Sequence, residues 1–326
     1  MRRMTRLLCV IALMLSITMM PSAYAASGNC SFSISNISFG SVSTLSPSPV
    51  DVTATLSATC SGFSASVVQI CAASLGYPSG GTARQMTAGS DTLTYQLFSD
   101  SGRQSVWGSV YGNAAPAPTM SIPLSNGSGV AAFPVYARLY SGQPMAPSGG
   151  YSDAYGGQNA EIRYYGGDSG SQACAIGTVS SFEASFNVLA TVIPDCDMTV
   201  QQGFAFPSTG LITTPLDVSF QLAATCTNRS SYAISMDDGA SGGGPSRVDQ
   251  RYLMPVGGGT GSMVAYNLYL DHSASQVWGD GTRGTRVLNG VGTGQQQVYV
   301  GYGRVPPQTT PAPGAYAAQI NVTISY

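Results

Sequence analysis

CSFSISNISFGSVSTLSPSPVDVTATLSATC, Cys30 to Cys60, and CDMTVQQGFAFPSTGLITTPLDVSFQLAATC, Cys196 to Cys226, are two versions of one segment. The cysteines are thirty residues apart in both. Each segment runs from a Phe-containing stretch through a Ser/Thr/Pro turn to an alternating stretch that ends in Ala-Thr-Cys. The correspondence continues downstream. LTYQLFSDSGRQSVWG (Leu93 to Gly108) parallels VAYNLYLDHSASQVWG (Val264 to Gly279), which puts Trp107 and Trp278 in equivalent places. PVYARL (Pro134 to Leu139) parallels VGYGRV (Val300 to Val305), and each leads through a Pro/Gly loop to a tyrosine, Tyr151 or Tyr316, and a last strand. Landmarks held in one order across both halves indicate a duplicated domain.

The alternation within the repeat fixes the secondary structure. Val52, Ala54, Leu56 and Ala58 alternate with Thr53, Thr55 and Ser57, and Ile320, Val322, Ile324 and Tyr326 alternate with Asn321, Thr323 and Ser325. Phe182, Ala184, Phe186, Val188, Ala190 and Val192 form one apolar face of a long strand. A period of two with one apolar face marks a half-buried antiparallel strand. Gly, Ser, Thr, Ala and Tyr dominate, and no helical period follows residue 25. The pattern predicts an all-β chain of two tandem immunoglobulin-like β-sandwiches.

Residues 1–25 read as a signal peptide: Arg2, Arg3 and Arg6, an apolar run from Leu7 to Met20, then Ala23-Tyr24-Ala25. The domains are expected at 26–193 and 194–326, with export through the periplasm to the cell surface. Cys9 leaves with the leader, and Cys30, Cys60, Cys71, Cys174, Cys196 and Cys226 remain. An even count behind a signal peptide implies bridges made in an oxidising compartment. The repeat narrows the fifteen possible pairings to Cys30–Cys60 and Cys196–Cys226, with Cys71–Cys174 as an extra staple in the first domain.

The charges exclude several functions. There is no lysine, and ten arginines after the leader face fifteen carboxylates, so no basic patch for nucleic acid exists. One histidine and no C-x-x-C leave no metal site, and no cofactor motif is present. His272 lies beside Asp271, Ser273 and Ser275, but its repeat counterpart is Ser101, so the position reads as an exposed turn. Asp100 and Asp271 match and share that turn. Glu161 and Glu183, the only glutamates, sit within strand patterns rather than across a cleft. The chain is therefore read as structural or adhesive, not as an enzyme. Repetition of Trp107 and Trp278 favours a structural role for both.

These landmarks resemble the spore coat U domain, the subunit fold of archaic chaperone–usher pili. They are the Cys…Ala-Thr-Cys opening, Leu-x-Tyr-x-Leu-(F/Y)-x-Asp, the Trp-Gly pair, Tyr-x-Arg (Tyr-Ala-Arg in the first half) and the terminal Tyr-x-x-x-Ile-x-Val-x-Ile-x-Tyr. A two-domain chain of this kind looks like the tip adhesin of such a (Csu-type) pilus, acting in surface attachment and biofilm formation. The resemblance implies a periplasmic chaperone, an outer-membrane usher and an adjacent pilin that lends a donor strand to the second domain, whose sandwich would lack one strand. The alternative is a spore-coat or cell-surface structural protein of the same fold. If the mature chain starts at Ala26, the four residues from Ala26 to Asn29 ahead of Cys30 are too few for a donor strand, so the chain is expected to receive a strand and give none. Phe182 to Ile193 is expected to complete the first domain from within. Adhesive contacts to a hydrophobic surface or host receptor are expected from three loops at the far end of the first domain: Tyr77 and Pro78; Val110, Tyr111, Pro116, Pro118 and Met120; and Met145 and Pro147.

Overall fold

The computed structural model describes residues 28–76, 83–111, 115–167, 179–239, 245–257 and 263–326. The leader, Tyr77, Pro78 and Cys174 lie outside the described residues, and the expected Cys71–Cys174 bridge falls there with them. The first half holds twelve strands: β1 (Asn29–Ile34), β2 (Ile37–Val42), β3 (Val50–Ser61), β4 (Val67–Ala73), β5 (Arg84–Ala88), β6 (Asp91–Phe98), β7 (Met120–Pro123), β8 (Gly129–Leu139), β9 (Gly149–Tyr155), β10 (Glu161–Gly166), β11 (Ser180–Glu183) and β12 (Phe186–Val192). The second half holds nine: β13 (Cys196–Gln202), β14 (Leu216–Cys226), β15 (Ser231–Met236), β16 (Arg251–Pro255), β17 (Val264–Tyr269), β18 (Leu288–Val291), β19 (Gln296–Val305), β20 (Tyr316–Ala317) and β21 (Val322–Ser325). The only helical element among the described residues is a single 3-10 turn, Gly157–Ala160.

Each half packs two sheets around its own core. In the first half the sheets run β1-β3-β8-β6-β5-β9-β12-β2 and β11-β10-β4-β7. In the second they run β13-β14-β19-β17-β16-β20 and β18-β15-β21. Laid on each other, the second set is the first without the counterparts of β2, β12 and β11. One core draws on residues 30–192 and the other on residues 196–324. The expected alternation holds in β3, where Ala54, Leu56 and Ala58 are buried and their neighbours face outward.

The long apolar face at 182–192 becomes two strands. β11 pairs with β10 in one sheet, and after Ala184 and Ser185 the chain crosses to the other sheet as β12. There β12 lies antiparallel to β9, from Phe186 opposite Tyr155 to Val192 opposite Gly149, and parallel to β2. It is thus the last strand of the first sandwich, contributed by the same chain. Phe186, Val188, Ala190 and Val192 are all buried, and Phe186 stacks on Tyr155 with centroids 4.5 Å apart.

Two repeated bridges staple the opening strands. Cys30 faces Cys60 across β1 and β3, and Cys196 faces Cys226 across β13 and β14, both as disulfides of sequence separation 30. Closing such a loop restricts the unfolded chain by about 3–4 kcal/mol. Replacing Cys196 and Cys226 by alanine is therefore expected to cost about 3–4 kcal/mol. In differential scanning calorimetry the second-domain transition should fall while the first-domain transition stays in place.

Candidate functional site: an open groove in the second sandwich

The feature that distinguishes the two halves is a cleft of about 450 Å³ along the second core. Its walls are the segment 203–206 on one side and 316–322 on the other, and Phe220, Leu222 and Leu268 form its floor. In the first half the corresponding space between β2 and β9 is filled by β12. The second-half walls show what that filling does. After β13 the segment 203–209 forms no strand, although Phe204 and Phe206 turn their rings inward, onto Phe220 at 5.2 Å and Tyr266 at 6.0 Å respectively. β20 is two residues long, and the backbone of 318–321 has no strand partner among the described residues.

Burial tells the same story. Tyr151 and Tyr155, which flank β12, are buried, whereas Tyr316, Ala318, Ile320 and Val322 alternate inward yet are only half-buried. Val200 on the opposite wall is 63 % exposed. The terminal alternation predicts a strand from Ile320 to Tyr326, and the structure forms it only from Val322 to Ser325, where β15 supplies the partner. A strand needs a neighbour to satisfy its N–H and C=O groups; Asn321 accepts from Asp237 N and donates to its carboxylate, but residues 318–320 have no strand partner among the described residues. An apolar cleft beside backbone without a strand partner is a surface on which an extended strand can pair, with hydrogen bonds to the walls and alternate side chains on the floor. Tyr266, in the floor, has its hydroxyl pushed up to about 12 by burial, as befits a surface already shielded from water.

Beneath the groove sits a duplicated polar anchor. Arg251 is fully buried; its guanidinium donates to the carbonyls of Trp278 (2.9 Å), Met236 (3.3 Å) and Asp237 (2.8 Å) and to Asn267 Oδ1 (2.5 Å). Desolvation lowers its pKa from the usual arginine value. Trp278 Nε1 donates to Ile234 O at 2.9 Å. The first half repeats the set: buried Arg84 donates to Gly76 O, Leu75 O, Trp107 O and Gln96, and Trp107 Nε1 donates to Ala73 O at 2.7 Å. Both tryptophans are thus structural. The arginines were not singled out by sequence reasoning, although ARQMTAGSDTLTYQL and VDQRYLMPVGG place an arginine ahead of each repeated Tyr-containing strand.

Of the loops expected at the far end of the first domain, Tyr77 and Pro78 lie outside the described residues, and the described parts of the other two lie elsewhere. The Cys196–Cys226 end of the second half meets the first: Asn228 Nδ2 donates to Met145 O (2.7 Å), Arg229 forks onto Asp91 (2.8 and 3.0 Å) and Asp195 accepts from Ser43 Oγ. By the repeat, the far end of the first half is its Cys30–Cys60 end. There Phe63 lies over Gly127 and Gly166. Met145 is at the domain junction, 61 % exposed beside the second domain, and Pro147 is buried there as acceptor of the Tyr151 hydroxyl. Val110 and Tyr111 are exposed on the flank, where Leu75 N donates to Gly108 O and Gly76 N to Asn159 O. That is the start of β10, and the far end is at its other terminus, Gly166. Tyr111 bonds to Glu161 and accepts from Arg163 (2.7 Å), so this loop folds back on the sheet. Pro116 is exposed, Pro118 is half-buried, and Met120 opens β7 against β4.

Among the catalytic alternatives, His272 is exposed, and Ser273 and Ser275 bond to Asp271 rather than to it. Asp100 and Asp271 play one role, accepting the backbone N–H groups of residues 104–105 and 275–276 respectively. Glu161 and Glu183 are directly opposite on β10 and β11, side by side on a sheet rather than across a cleft.

A closed sandwich followed by one of the same plan with an open cleft defines the class: a tandem immunoglobulin-like all-β protein. The family model of the Spore Coat Protein U domain matches the chain twice, over residues 17–156 and 182–323, and the chain belongs to that family. Among solved structures, the complex of the chaperone CsuC with the tip adhesion subunit CsuE, from the archaic chaperone–usher Csu pili of Acinetobacter baumannii, is similar in fold. It covers 91 % of this chain and 100 % of that chain at 16 % identity with a TM-score of 0.53. The CupB6 tip adhesin of Pseudomonas aeruginosa aligns over 91 % of this chain and 94 % of that chain at 11 % identity, with a TM-score of 0.34. Among curated proteins none matches.

Proposed function

We propose that the chain is the tip subunit of a chaperone–usher pilus, and that its second domain is completed by a strand from another protein. The observation that carries this reading is the contrast between the halves: β12 fills the first sandwich, and the equivalent space in the second is an apolar groove. In this reading a periplasmic chaperone fills the groove before assembly, the outer-membrane usher passes the subunit on, and the adjacent pilin fills the groove in the fibre. By analogy with β12, the occupant would carry alternate apolar side chains on one face. The first domain then points outward and attaches to a hydrophobic surface or host receptor, supporting biofilm formation. The half-exposed Val110 and Tyr111 on its flank are the candidate contacts. No step in this role calls for catalysis.

The test is the thermal stability of the full mature chain with and without a synthetic donor peptide taken from a stalk pilin. The expected result is two transitions, of which the second-domain one rises by 10 °C or more, on the order of 2–3 kcal/mol for a domain of this size. Two cooperative transitions at high temperature, both indifferent to peptide, would favour a self-sufficient coat protein instead.

A further inference from the structure

The repeat can be read residue against residue on its outer surface, and one position breaks the pattern. In the first domain Asp51 on β3 and Arg138 on β8 form a two-pronged pair (2.8 and 2.8 Å), and Arg103 closes over it. Arg103 Nε is 3.3 Å from Asp51 Oδ1 and 3.5 Å from Ala137 O, and its guanidinium carbon stands 5.7 Å over the Tyr136 ring. The second domain keeps the frame. Asp217 pairs with Arg304 (2.6 and 3.1 Å), and Tyr302 and Gly303 hold the places of Tyr136 and Ala137. The counterpart of Arg103 is Ala274, in the same left-handed conformation (φ 57° against 55°).

The loss of that side chain has two physical results. The Asp217 side chain is 51 % exposed where that of Asp51 is 34 % exposed. A cleft of about 270 Å³ opens over it, lined by Tyr269, Tyr302, His272, Asp217, Gly303 and Arg304. His272 stands against Tyr302 with ring planes at 86° and centroids 5.5 Å apart, forming a wall. Among the described residues it makes no ion pair with Asp217. The cleft is on the outer face of β14 and β19, whose inner side chains Phe220 and Leu222 line the groove, so it is independent of the strand-accepting site.

We propose that this cleft receives an arginine side chain from a neighbouring protein, held as the first domain holds its own Arg103. The guanidinium would lie on the Tyr302 ring, donate to Asp217 and reach the Gly303 carbonyl. A planar cation with forked donors suits a carboxylate beside an aromatic face. The second half carries eight aspartates against six arginines, of which Arg251 is buried, so its surface is acidic and favours a cationic visitor.

The test is a titration of the full mature chain with Nα-acetyl-arginine amide and with its neutral citrulline counterpart, followed by NMR of the Tyr302 and His272 rings. The donor peptide is present throughout to keep the second domain closed. The arginine probe should bind saturably, with a dissociation constant on the order of 1–10 mM. Citrulline should bind at least about tenfold more weakly. Ala274→Arg, which restores the first-domain arrangement in cis, should abolish binding and leave the melting temperature unchanged or raised. Asp217→Asn, of equal shape, should weaken arginine binding toward the citrulline level. The inference is overturned if citrulline binds as well as arginine, if Ala274→Arg binds like the parent, or if arginine causes no saturable shift because His272 closes the cleft. Shifts caused by neutral monosaccharides but not by arginine would overturn it equally, in favour of a sugar site.

Discussion

Replacing Val188 by aspartate is expected to unfold the first domain. Val188 is fully buried at the centre of β12, opposite Asp153 on β9 and Ile37 on β2. The substitution removes roughly 2 kcal/mol of apolar burial and puts a carboxylate inside the sandwich, directly opposite the carboxylate of Asp153. A buried, unpaired charge costs several kcal/mol more, so the total exceeds about 4 kcal/mol, beyond what most single changes do. Leu189, its neighbour on the same strand, points the other way and is 37 % exposed. Leu189→Asp should therefore cost about 1 kcal/mol or less. The contrast separates a failed strand from a generally intolerant surface. Val188→Asp also turns the first domain into an acceptor: a synthetic peptide of residues 182–193, added in trans, should restore its melting transition. If Val188→Asp melts like the parent, or if the peptide does nothing, β12 is not what holds the first sandwich closed.

Much of this was legible in the sequence, for physical reasons that also explain what was not. Period-two alternation reports which face of a strand is apolar, so the strands at Val52–Ala58 and Phe182–Val192 could be placed from sequence, although not the break at Ala184 and Ser185 that sends the second stretch from one sheet to the other. The repeat did the rest, pairing Cys30 with Cys60 and Cys196 with Cys226. Alternation does not report whether a neighbour exists. Ile320 is patterned as a strand residue, yet the strand pairing stops short of it, at Val322 opposite Met236. The loops were read by composition alone, and composition cannot say where a loop lands. Met145 and Pro147 look like an exposed apolar tip, but the tandem stacking places them at the domain junction. Tyr111 looks free until Arg163 and Glu161 hold it to the sheet. Arg84 and Arg251 were passed over because a buried arginine needs its acceptors gathered from several strands, and backbone carbonyls leave no mark in a sequence.

Those arginines set up the second large effect. Arg251→Met keeps roughly the volume and the apolar stem of the side chain, so the change isolates the guanidinium. Three carbonyl oxygens, those of Met236, Asp237 and Trp278, then lose their donor inside the core, and Asn267 Oδ1 keeps only its bond from Leu268 N. Leaving such groups unpaired costs about 1–3 kcal/mol each in isolation. Because they share one donor and can relax together, the expected loss is about 3–5 kcal/mol rather than the sum. Against this runs a real gain, since methionine removes the desolvation cost that depresses the arginine pKa. The balance goes to destabilisation, because the carbonyls, at the end of β15, just after it and at the Trp278 turn, gain no donor from methionine. Arg251→Lys keeps the charge but presents one compact ammonium in place of a planar fork, so it should recover less than half of the loss. Urea unfolding of the second domain, read with the groove filled by peptide, gives the number. Loss of this anchor should also weaken the groove, since Met236 and Leu268, in its wall and floor, are tied to the Arg251 network through Met236 O and through the Asn267 Oδ1 bond to Leu268 N. A stability loss without loss of peptide affinity would show that anchor and groove are separate devices, whereas a joint loss would mean that the buried arginine holds the open sandwich in the shape its missing strand requires.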